Sequence, residues 1–209
     1  MNKKIIKAMY LNIASKDPNR PVMNGVHFEE GRCYASDGHV LVILNEGSKV
    51  LDGKTLSIEG EEIEGYYPNV DSVFPQRMAT DKEFALDVKQ LKDACNYHLR
   101  RQDTTDKDAV VINGVAFNVR TMFRLLTTLL LADVRDVKFT TRDRRNAVVV
   151  ENGTLLRCLI MPTVYSDEQI DAEAELGDPV VLSYENFIND FVFNGWKKPQ
   201  VKEDLAWAV

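Results

Sequence analysis

The side chains best suited to catalysis or metal binding are scattered along this chain. Its three cysteines lie singly within apolar segments, as reduced core residues do: Cys33, Cys95 and Cys158. Its three histidines are far apart in the sequence: His27, His39 and His98. The sequence contains no Cys-x-x-Cys pair, no His–carboxylate pair at metal-ligand spacing, no Gly-rich phosphate loop and no nucleophile elbow. It therefore predicts a protein that binds partners, without catalysis, a metal or a cofactor.

The elements that would position binding side chains are predicted by hydrophobic periodicity and by capping residues. Asp87 is placed to cap a helix that ends at Leu99, and Asn118 to cap a second helix that ends at Leu131. Residues 5–13 fit either a helix or an edge strand. Strands that alternate with a few helices predict an α+β fold, with antiparallel sheet and helices on one face.

Turn residues predict where the strands pair. A polar turn at residues 29–31 predicts a hairpin between strands at 23–28 and 32–44. Within the second of these strands, Asp37-Gly38 marks a bend or bulge, because glycine accepts backbone geometry that other residues resist. Further strands are predicted at residues 55–64, 109–117, 134–141, 147–150 and 155–160, the last two joined by a turn at Asn152-Gly153. The segment 109–117 is either one strand or two strands separated at Asn113-Gly114.

Five short segments carry a more specific pattern. In chain order they are Arg20-Pro21-Val22-Met23-Asn24-Gly25-Val26, Ala35 to Leu41, Tyr67-Pro68 to Val73 with Pro75, Phe117-Asn118-Val119, and Leu159 to Pro162. In these residues the chain resembles the bacterial DNA polymerase III sliding clamp, the β subunit. That family has Arg-Pro-x-Leu-x-Gly-Val, Ala-Thr-Asp-Gly-His-Arg-Leu, Phe-Pro-Asp-Tyr-x-x-Val-x-Pro, Phe-Asn-Val and Val-x-Met-Pro.

The resemblance implies a shallow apolar pocket for short Gln-x-x-Leu-Phe-type peptides of polymerases and other replication and repair proteins. A site lined by Met, Leu, Val and Pro suits leucine and aromatic anchors, and methionine adapts to several ligands. Val40 and Ser72 stand where the family often has arginines, and Val70 replaces its tyrosine, so polar contacts to the peptide would be weaker. The residues matched to the pocket are Met23, Ser36, Gly38, His39, Val40, Leu41, Pro68, Ser72, Val73, Leu159, Met161 and Pro162.

The resemblance also implies an abbreviated, DNA-clamp-like architecture. The family's three-domain chain closes as a dimeric ring, and two-domain relatives close as trimers. Compared with the three-domain chain, a long stretch is absent here between Asn45 and Gly65. We expect a clamp-like N-terminal part with the interdomain connector at residues 1–75 and a clamp-like C-terminal part at 76–165. The implied homo-oligomer has two or three subunits.

Positive charge is concentrated in one part of the chain. The whole chain has a net charge of −6, which argues against nucleic-acid binding over its entire surface. Residues 88–145, in contrast, hold twelve Lys or Arg and seven Asp or Glu. In the clamp family the helices line the central hole and contact double-stranded DNA through its phosphates, without reading the sequence. The alternative is that these cations form only a solvated helix face. The candidates for DNA contact are Lys89, Lys92, Arg100, Arg101, Arg120 and Arg124.

After Pro162 this chain continues well beyond the point where the family's chain ends. Residues 166–209 form an acidic extension, with ten acidic and three basic side chains. Ser183 is placed to cap a helix in it that Asn194-Gly195 ends. We consider two roles for this extension: it covers the pocket, with Gln200, Leu205 and Trp207 as anchors, or its helix patches a shortened sheet edge.

Taken together, these features predict a non-enzymatic, sliding-clamp-like processivity factor that serves as a docking platform. Its expected partners are DNA polymerase, other clamp-binding proteins and the backbone of double-stranded DNA. The alternative is a clamp-derived monomeric adaptor or decoy that keeps the pocket but does not encircle DNA, and a third hypothesis is an accessory to a nuclease or modification enzyme. The sequence shows neither a signal peptide nor a membrane-spanning segment, so we expect a cytoplasmic location.

Overall fold

The part of the chain that this computed structural model describes, residues 3–195, contains four α-helices and eleven β-strands. The helices are α1 (Lys3–Asn12), α2 (Val88–Leu99), α3 (Val119–Leu131) and α4 (Tyr184–Asn194). The strands are β1 (Val26–Glu29), β2 (Arg32–Ser36), β3 (Val40–Leu44), β4 (Lys54–Leu56), β5 (Lys82–Ala85), β6 (Ala109–Ile112), β7 (Val115–Asn118), β8 (Lys138–Thr141), β9 (Val148–Asn152), β10 (Leu156–Ile160) and β11 (Val181–Ser183).

Eight of these strands form one antiparallel sheet, in the order β4-β1-β2-β3-β10-β9-β8-β5. The central pair, β3 and β10, joins strands from the two predicted clamp-like parts, with Leu44 opposite Leu156 and Val40 opposite Ile160. Since β3 lies before the predicted boundary at residue 75 and β10 lies after it, a single sheet contains strands from both parts. The division into two parts stays a prediction about folding units.

A second, smaller sheet contains three strands in the order β11-β6-β7. Strands β6 and β7 form an antiparallel hairpin around Asn113-Gly114, as the turn residues indicate. Strand β11 comes from the acidic extension and pairs in parallel with β6, from Val181 opposite Ala109 to Ser183 opposite Val111.

The helices lie on one face of the sheets and share one core with them. Neighbouring helices pack as α1 on α3, α3 on α2 and α2 on α4. Their buried residues, including Met9, Leu91 and Leu125, pack with inward-facing strand residues such as Val42 and Cys158. The predicted α+β fold with helices on one face is therefore confirmed.

Local capping accounts for the three helices that the sequence predicts with defined starts. The Asp87 side chain accepts a hydrogen bond from the Gln90 amide (2.8 Å), and Asn118 accepts one from the Thr121 amide (3.1 Å). Ser183 accepts a longer bond from the Asn186 amide (3.4 Å) at the start of α4. Residues 5–13, which fit two structures by sequence, belong mainly to helix α1.

Two strand predictions are wrong in detail. Residues 32–44 are not one bent strand but a tight hairpin, because Gly38 has φ +91° and lets the chain reverse between β2 and β3. Residues 55–64 supply only the end of the short strand β4 and one isolated bridge between Leu56 and Glu62. Strands β5 and β11 were not predicted, since both are short and are formed by pairing with distant segments.

The acidic extension packs against the smaller sheet as far as the structure describes it. Phe187 is buried against His98 of α2, with 5.4 Å between ring centroids, and Phe191 lies 6.0 Å from the Tyr97 ring. For the described residues, this arrangement fits the sheet-edge role. The candidate anchors Gln200, Leu205 and Trp207 lie outside the described residues.

A buried carboxylate joins the extension to α2 and β6. Asp108, 1% exposed, accepts hydrogen bonds from His98 Nε2 (2.8 Å), the Thr105 hydroxyl (2.6 Å) and the Val180 amide (3.0 Å). Burial by itself would raise the pKa of this carboxyl, but those hydrogen bonds lower the pKa below its ordinary value. The ionised side chain is thus the form that the fold stabilises.

We expect the substitution Asp108→Ala to lower the free energy of unfolding by about 3 kcal/mol or more, because it leaves buried donors without an acceptor. The wild-type advantage is present above the unfolded pKa of about 4 and is lost as the pH falls through the depressed folded pKa. Urea unfolding at a series of pH values measures both effects.

The matched control is Asp106→Ala, since the Asp106 side chain is 88% exposed and pairs with Arg120 at the surface. This control should change the unfolding free energy by less than about 1 kcal/mol. Equal losses in the two variants would contradict the structural role assigned to Asp108.

Candidate functional site

The outer face of the larger sheet, opposite the helices, carries an apolar strip three strands wide. The strand registers place Leu41 beside Leu159 and Leu159 beside Val149. Ser36 of β2 lies beside Leu41, and Thr140 of β8 lies beside Val149, so a hydroxyl side chain bounds the strip at each end. Because adjacent strands are about 4.8 Å apart, the strip is about 10 Å wide and can cover one or two apolar anchors.

An extended connector, residues 66–78, crosses the same outer face. The Tyr67 ring lies 5.1 Å from His27 and 5.2 Å from Tyr34, measured between centroids. Burial lowers the pKa of His27 and raises the pKa values of both tyrosines, so all three rings are uncharged near neutral pH. This aromatic contact fixes the start of the connector on β1 and β2.

Charged contacts fix the second half of the connector. Arg32 of β2 donates to Asp71 (2.9 Å), and this hydrogen bond lowers the pKa of the Asp71 carboxyl. The Arg157 guanidinium of β10 lies 3.8 Å from the centroid of the Phe74 ring, a cation–π contact. The connector therefore borders the apolar strip along one side, with its course set by residues on three strands.

An exposed methionine lies at the other side of the strip, where β10 ends. The Met161 amide donates to the His39 carbonyl (2.8 Å), which holds the chain after β10 beside the β2–β3 turn. Met161 is 41% exposed, whereas Leu41 and Leu159 are 4% and 5% exposed. An apolar ligand side chain would meet Met161 at the surface before it reached the covered residues of the strip.

The β2–β3 turn is held by its own side chains and by α3. Asp37 Oδ1 accepts from the amides of His39 (2.8 Å) and Val40 (2.9 Å), while Asp37 Oδ2 accepts from Arg124 Nη2 (2.6 Å). The Ser36 hydroxyl donates to the Val40 carbonyl (2.8 Å). A helix side chain thus positions the loop that presents His39.

The structure brings most of the predicted pocket residues to this region. Met23, Leu41 and Leu159 belong to or pack against an outer-face cluster made of Tyr34, Leu41, Ile43, Tyr67, Val70, Val149 and Leu159. Other predicted residues lie at the adjoining strand ends or in the connector: Ser36, Gly38, His39, Pro68, Ser72, Val73, Met161 and Pro162. Their part in peptide binding stays a prediction.

Val40 is the exception among the predicted pocket residues. It is 2% exposed and packs in the helix-side core, because neighbouring residues of a strand face opposite sides of the sheet. Five members of the outer-face cluster were not among the predicted pocket residues, namely Tyr34, Ile43, Tyr67, Val70 and Val149. Alternation along each strand was a usable signal, but the pairing that brings these strands together was not visible in it.

A cavity of about 200 Å³ adjoins the strip at Val149. Its lining contains two ion pairs, Arg142 with Asp81 (2.9 Å) and Arg157 with Glu151 (3.0 Å). The hydrogen bond from Arg142 lowers the pKa of the Asp81 carboxyl. Because these charges are paired within the protein, the cavity offers polar contacts beside the apolar strip without a concentrated charge of either sign.

The helix layer, here the surface of α1, α2 and α3, carries the opposite charge to the whole chain. These helices contain seven cations and one carboxylate, Asp93: Lys3, Lys4, Lys7, Lys89, Lys92, Arg120 and Arg124. The lysines of α1 were missed in the sequence, because its helical structure was left open there. A positive layer on a chain of net charge −6 is suited to contact with phosphates.

The predicted DNA-contacting residues differ in how accessible their charges are. Lys89 pairs with Asp93 (2.8 Å) and Arg120 with Asp106 (2.8 Å), both at the surface. Lys92 pairs with Asp93, Arg101 with Asp103 and Asp190, and Arg124 with Asp37. Arg100 is exposed at the end of α2. Arg124 is thus held in its ion pair at the β2–β3 turn. The weak surface pairs of Lys89 and Arg120 can instead be exchanged for contacts with a polyanion.

Other chemistry has little support in the described structure. Residues 3–195 hold no group of three or more His, Cys, Asp or Glu side chains placed to bind a metal ion. The three cysteines are buried and unpaired, and burial raises the pKa of the Cys33 thiol to about 12. None of the helices in this range is long and apolar enough to cross a membrane.

Known structures share the fold described above, although no family model and no curated protein matches the chain in sequence. The DNA polymerase III β sliding clamp of Bartonella birtlesii, solved with griselimycin, matches with a TM-score of 0.60 and 13% identity, over 78% of this chain and 63% of that clamp. The chain has the sliding-clamp fold.

Two further solved clamps give the same result. The β chain of Streptococcus pneumoniae has a TM-score of 0.61 and 15% identity, with 78% of this chain and 62% of that chain covered. The β subunit of Pseudomonas aeruginosa has a TM-score of 0.60 and 14% identity, with 78% and 65% covered. The chain therefore spans less than two thirds of the length of these clamps, which fits the predicted abbreviated form.

We expect Arg124→Gln to loosen the β2–β3 turn, because Asp37 loses its partly buried partner. Amide hydrogen exchange at His39 and Val40 should become roughly tenfold faster, as expected for a local loss of about 1.4 kcal/mol. Exchange measured by NMR on the full chain gives this directly.

Arg120→Gln is the matched control, since it removes an arginine one helical turn away whose partner is exposed Asp106. This variant should leave exchange at both amides unchanged. Unchanged exchange in Arg124→Gln as well would show that the turn does not depend on α3.

Proposed function

We propose that this protein is a sliding-clamp-like docking platform that captures short peptide motifs of replication and repair proteins on the outer face of its larger sheet. The observation that carries the proposal is the apolar strip of Leu41, Leu159 and Val149, bordered by Met161 and the connector. The same segments supply the sequence resemblance to the clamps. The fold similarity to solved clamps supports the proposal independently of those residues.

The proposed capture uses burial of apolar anchors. Burying one leucine or phenylalanine side chain contributes about 1.5–3 kcal/mol, so two anchors contribute about 3–6 kcal/mol, and further contacts along the peptide are needed to offset the cost of association in a weak, reversible complex. Ser36 and Thr140 supply hydroxyl groups at the ends of the strip. Met161 supplies a flexible surface that adapts to different anchors. Capture of this kind involves no bond making or breaking.

The helix layer supplies the second half of the proposed function, contact with the backbone of double-stranded DNA. Its cations other than Arg124, which is paired with Asp37, would act through phosphates, so that binding is independent of sequence and sensitive to salt. A platform that holds DNA on one face and polymerase peptides on the other would keep a polymerase at its template. We propose a homo-oligomer of two or three subunits for the form that surrounds DNA.

The second candidate function is a monomeric adaptor or decoy that binds the same peptides without encircling DNA. One observation favours it: β11 of the same chain already pairs with the β6 edge of the smaller sheet, so that edge is not free to pair with a second subunit. Peptide capture is common to both candidates, whereas DNA contact and oligomer formation separate them.

We expect Met161→Ala to weaken binding of a fluorescent Gln-x-x-Leu-Phe-type peptide roughly tenfold, because the anchor loses its exposed contact at the end of the strip. Fluorescence anisotropy with the full chain measures the dissociation constant. The fold should be unaffected, since Met161 is 41% exposed.

Val164→Ala is the control, because Val164 is an exposed apolar residue (61%) in the same segment, three positions later. It should bind the peptide as the wild type does. An equal loss in both variants, or saturable binding that neither variant changes, would count against capture at the strip.

A second prediction concerns DNA. Replacing Lys3 and Lys7 with glutamine should weaken binding to a labelled duplex of arbitrary sequence. It should also reduce the slope of log affinity against log salt by about 2, since each phosphate contact contributes about 0.9. Titrations over a series of salt concentrations measure the slope.

Lys49 and Lys82 provide the control pair, because both are exposed cations outside the helix layer. Their replacement with glutamine should leave the salt slope near that of the wild type. If the control pair reduces the slope as much as the α1 pair, the helix layer is not the DNA-contacting surface.

A further inference from the structure

The contact between the two clamp-like parts, called the joint below, consists of a strand pair and a helix pair. Strand β10 pairs with the edge of β3, and at the same place α3 packs against α1. Each added unit therefore contributes a strand to a sheet edge and a helix to the neighbouring helix. The pairing buries the backbone groups of the edge, and the helix contact buries an apolar face.

The acidic extension forms a comparable joint on the smaller sheet, with parallel strand pairing in place of the antiparallel pairing of β3 and β10. Strand β11 occupies the edge of β6, and α4 packs against α2. The Ala109 amide donates to the Val180 carbonyl (2.9 Å), and the Val180 amide donates to Asp108 (3.0 Å). The segment that contains β11 and α4 thus occupies the position where another strand and helix could add to the sheet and the helix layer.

The contact beneath α4 buries Phe187 in the shared core, while the other α4 residues that pack there are only half-buried. Phe187 is buried, but Asp190 and Phe191 are partly exposed, and Asp190 pairs with Arg101, two residues after the end of α2 (2.7 Å). Residues 172–178, which lead into this segment, are all exposed. A short strand and a three-turn helix attached through an exposed segment form a unit that can open locally without unfolding the rest.

We propose that residues 179–195 act as a built-in cap that blocks self-association through the β6 edge. When the cap is displaced, two copies pair their β6 strands in antiparallel fashion about a two-fold axis, with α2 of one copy against α2 of the other. Without the cap, the strand Ala109-Val-Val-Ile112 would be an apolar edge with no partner on that side, which is the property that drives edge-to-edge pairing.

A second copy is the partner to which this proposal commits. Both copies expose the same edge and the same α2 surface once uncapped, so one surface serves both sides of an isologous contact. The inference does not require that the outer face binds peptides or that the helix layer binds DNA, because association is measured with neither present.

The test compares the full chain with two double variants. The release variant, Asp190→Arg with Phe191→Ser, disrupts the side of α4 that faces α2. The matched control, Glu185→Arg with Val192→Ser, makes the same kinds of change at exposed positions of the same helix. Analytical ultracentrifugation over a concentration series measures association, and a thermal melt checks that each variant still unfolds cooperatively.

We expect the release variant to reach twice the monomer mass at concentrations where the wild type and the control do not. Amide exchange at Ala109 should be fast in the dilute release variant and slow again when it associates, because β6 then regains a partner strand. This pair of results would distinguish β6 pairing from association at another surface.

Three outcomes would overturn the proposal. The first is a release variant that stays folded and associates no more than the control. The second is association without renewed protection at Ala109. The third is loss of the cooperative melt in the release variant, which would make residues 179–195 part of the core and not a cap.

Discussion

Both faces of the larger sheet depend on the antiparallel pairing of β3 with β10. Its register sets Leu41 beside Leu159 on the outer face and Val42 beside Cys158 on the helix side. A shift of one residue would exchange the two sets, placing outer-face residues among the helices. The two strands are far apart in sequence, so neither the apolar strip nor the continuous core exists in either part of the chain alone.

This pairing separates two kinds of surface. The outer face is apolar and holds the connector through aromatic rings and two arginines, while the helix layer is cationic on an acidic chain. Arg124 is the contact that links them, since it extends from α3 to Asp37 in the turn beside the strip. Within the described residues, the acidic extension adds a strand to the smaller sheet.

Local signals in the sequence predicted much of the fold. Asp87, Asn118 and Ser183 each cap a helix where the sequence indicates, because capping is a short-range hydrogen bond. Register between distant strands leaves no such local signal, which is why Val149 was missed and why the matched residue Val40 packs instead on the helix side of the sheet. The matched segments located the site, but only the pairing shows which of their residues share a face.

The central claim is that the strip on the outer face captures a peptide. The most direct test is a methyl NMR titration of the full chain with an unlabelled Gln-x-x-Leu-Phe-type peptide. The account predicts saturable shifts confined to methyl groups at the strip and its border, with the largest at Leu41, Leu159, Val149 and Met161. Shifts centred on the helix layer or the smaller sheet, or none at saturating peptide, would contradict it.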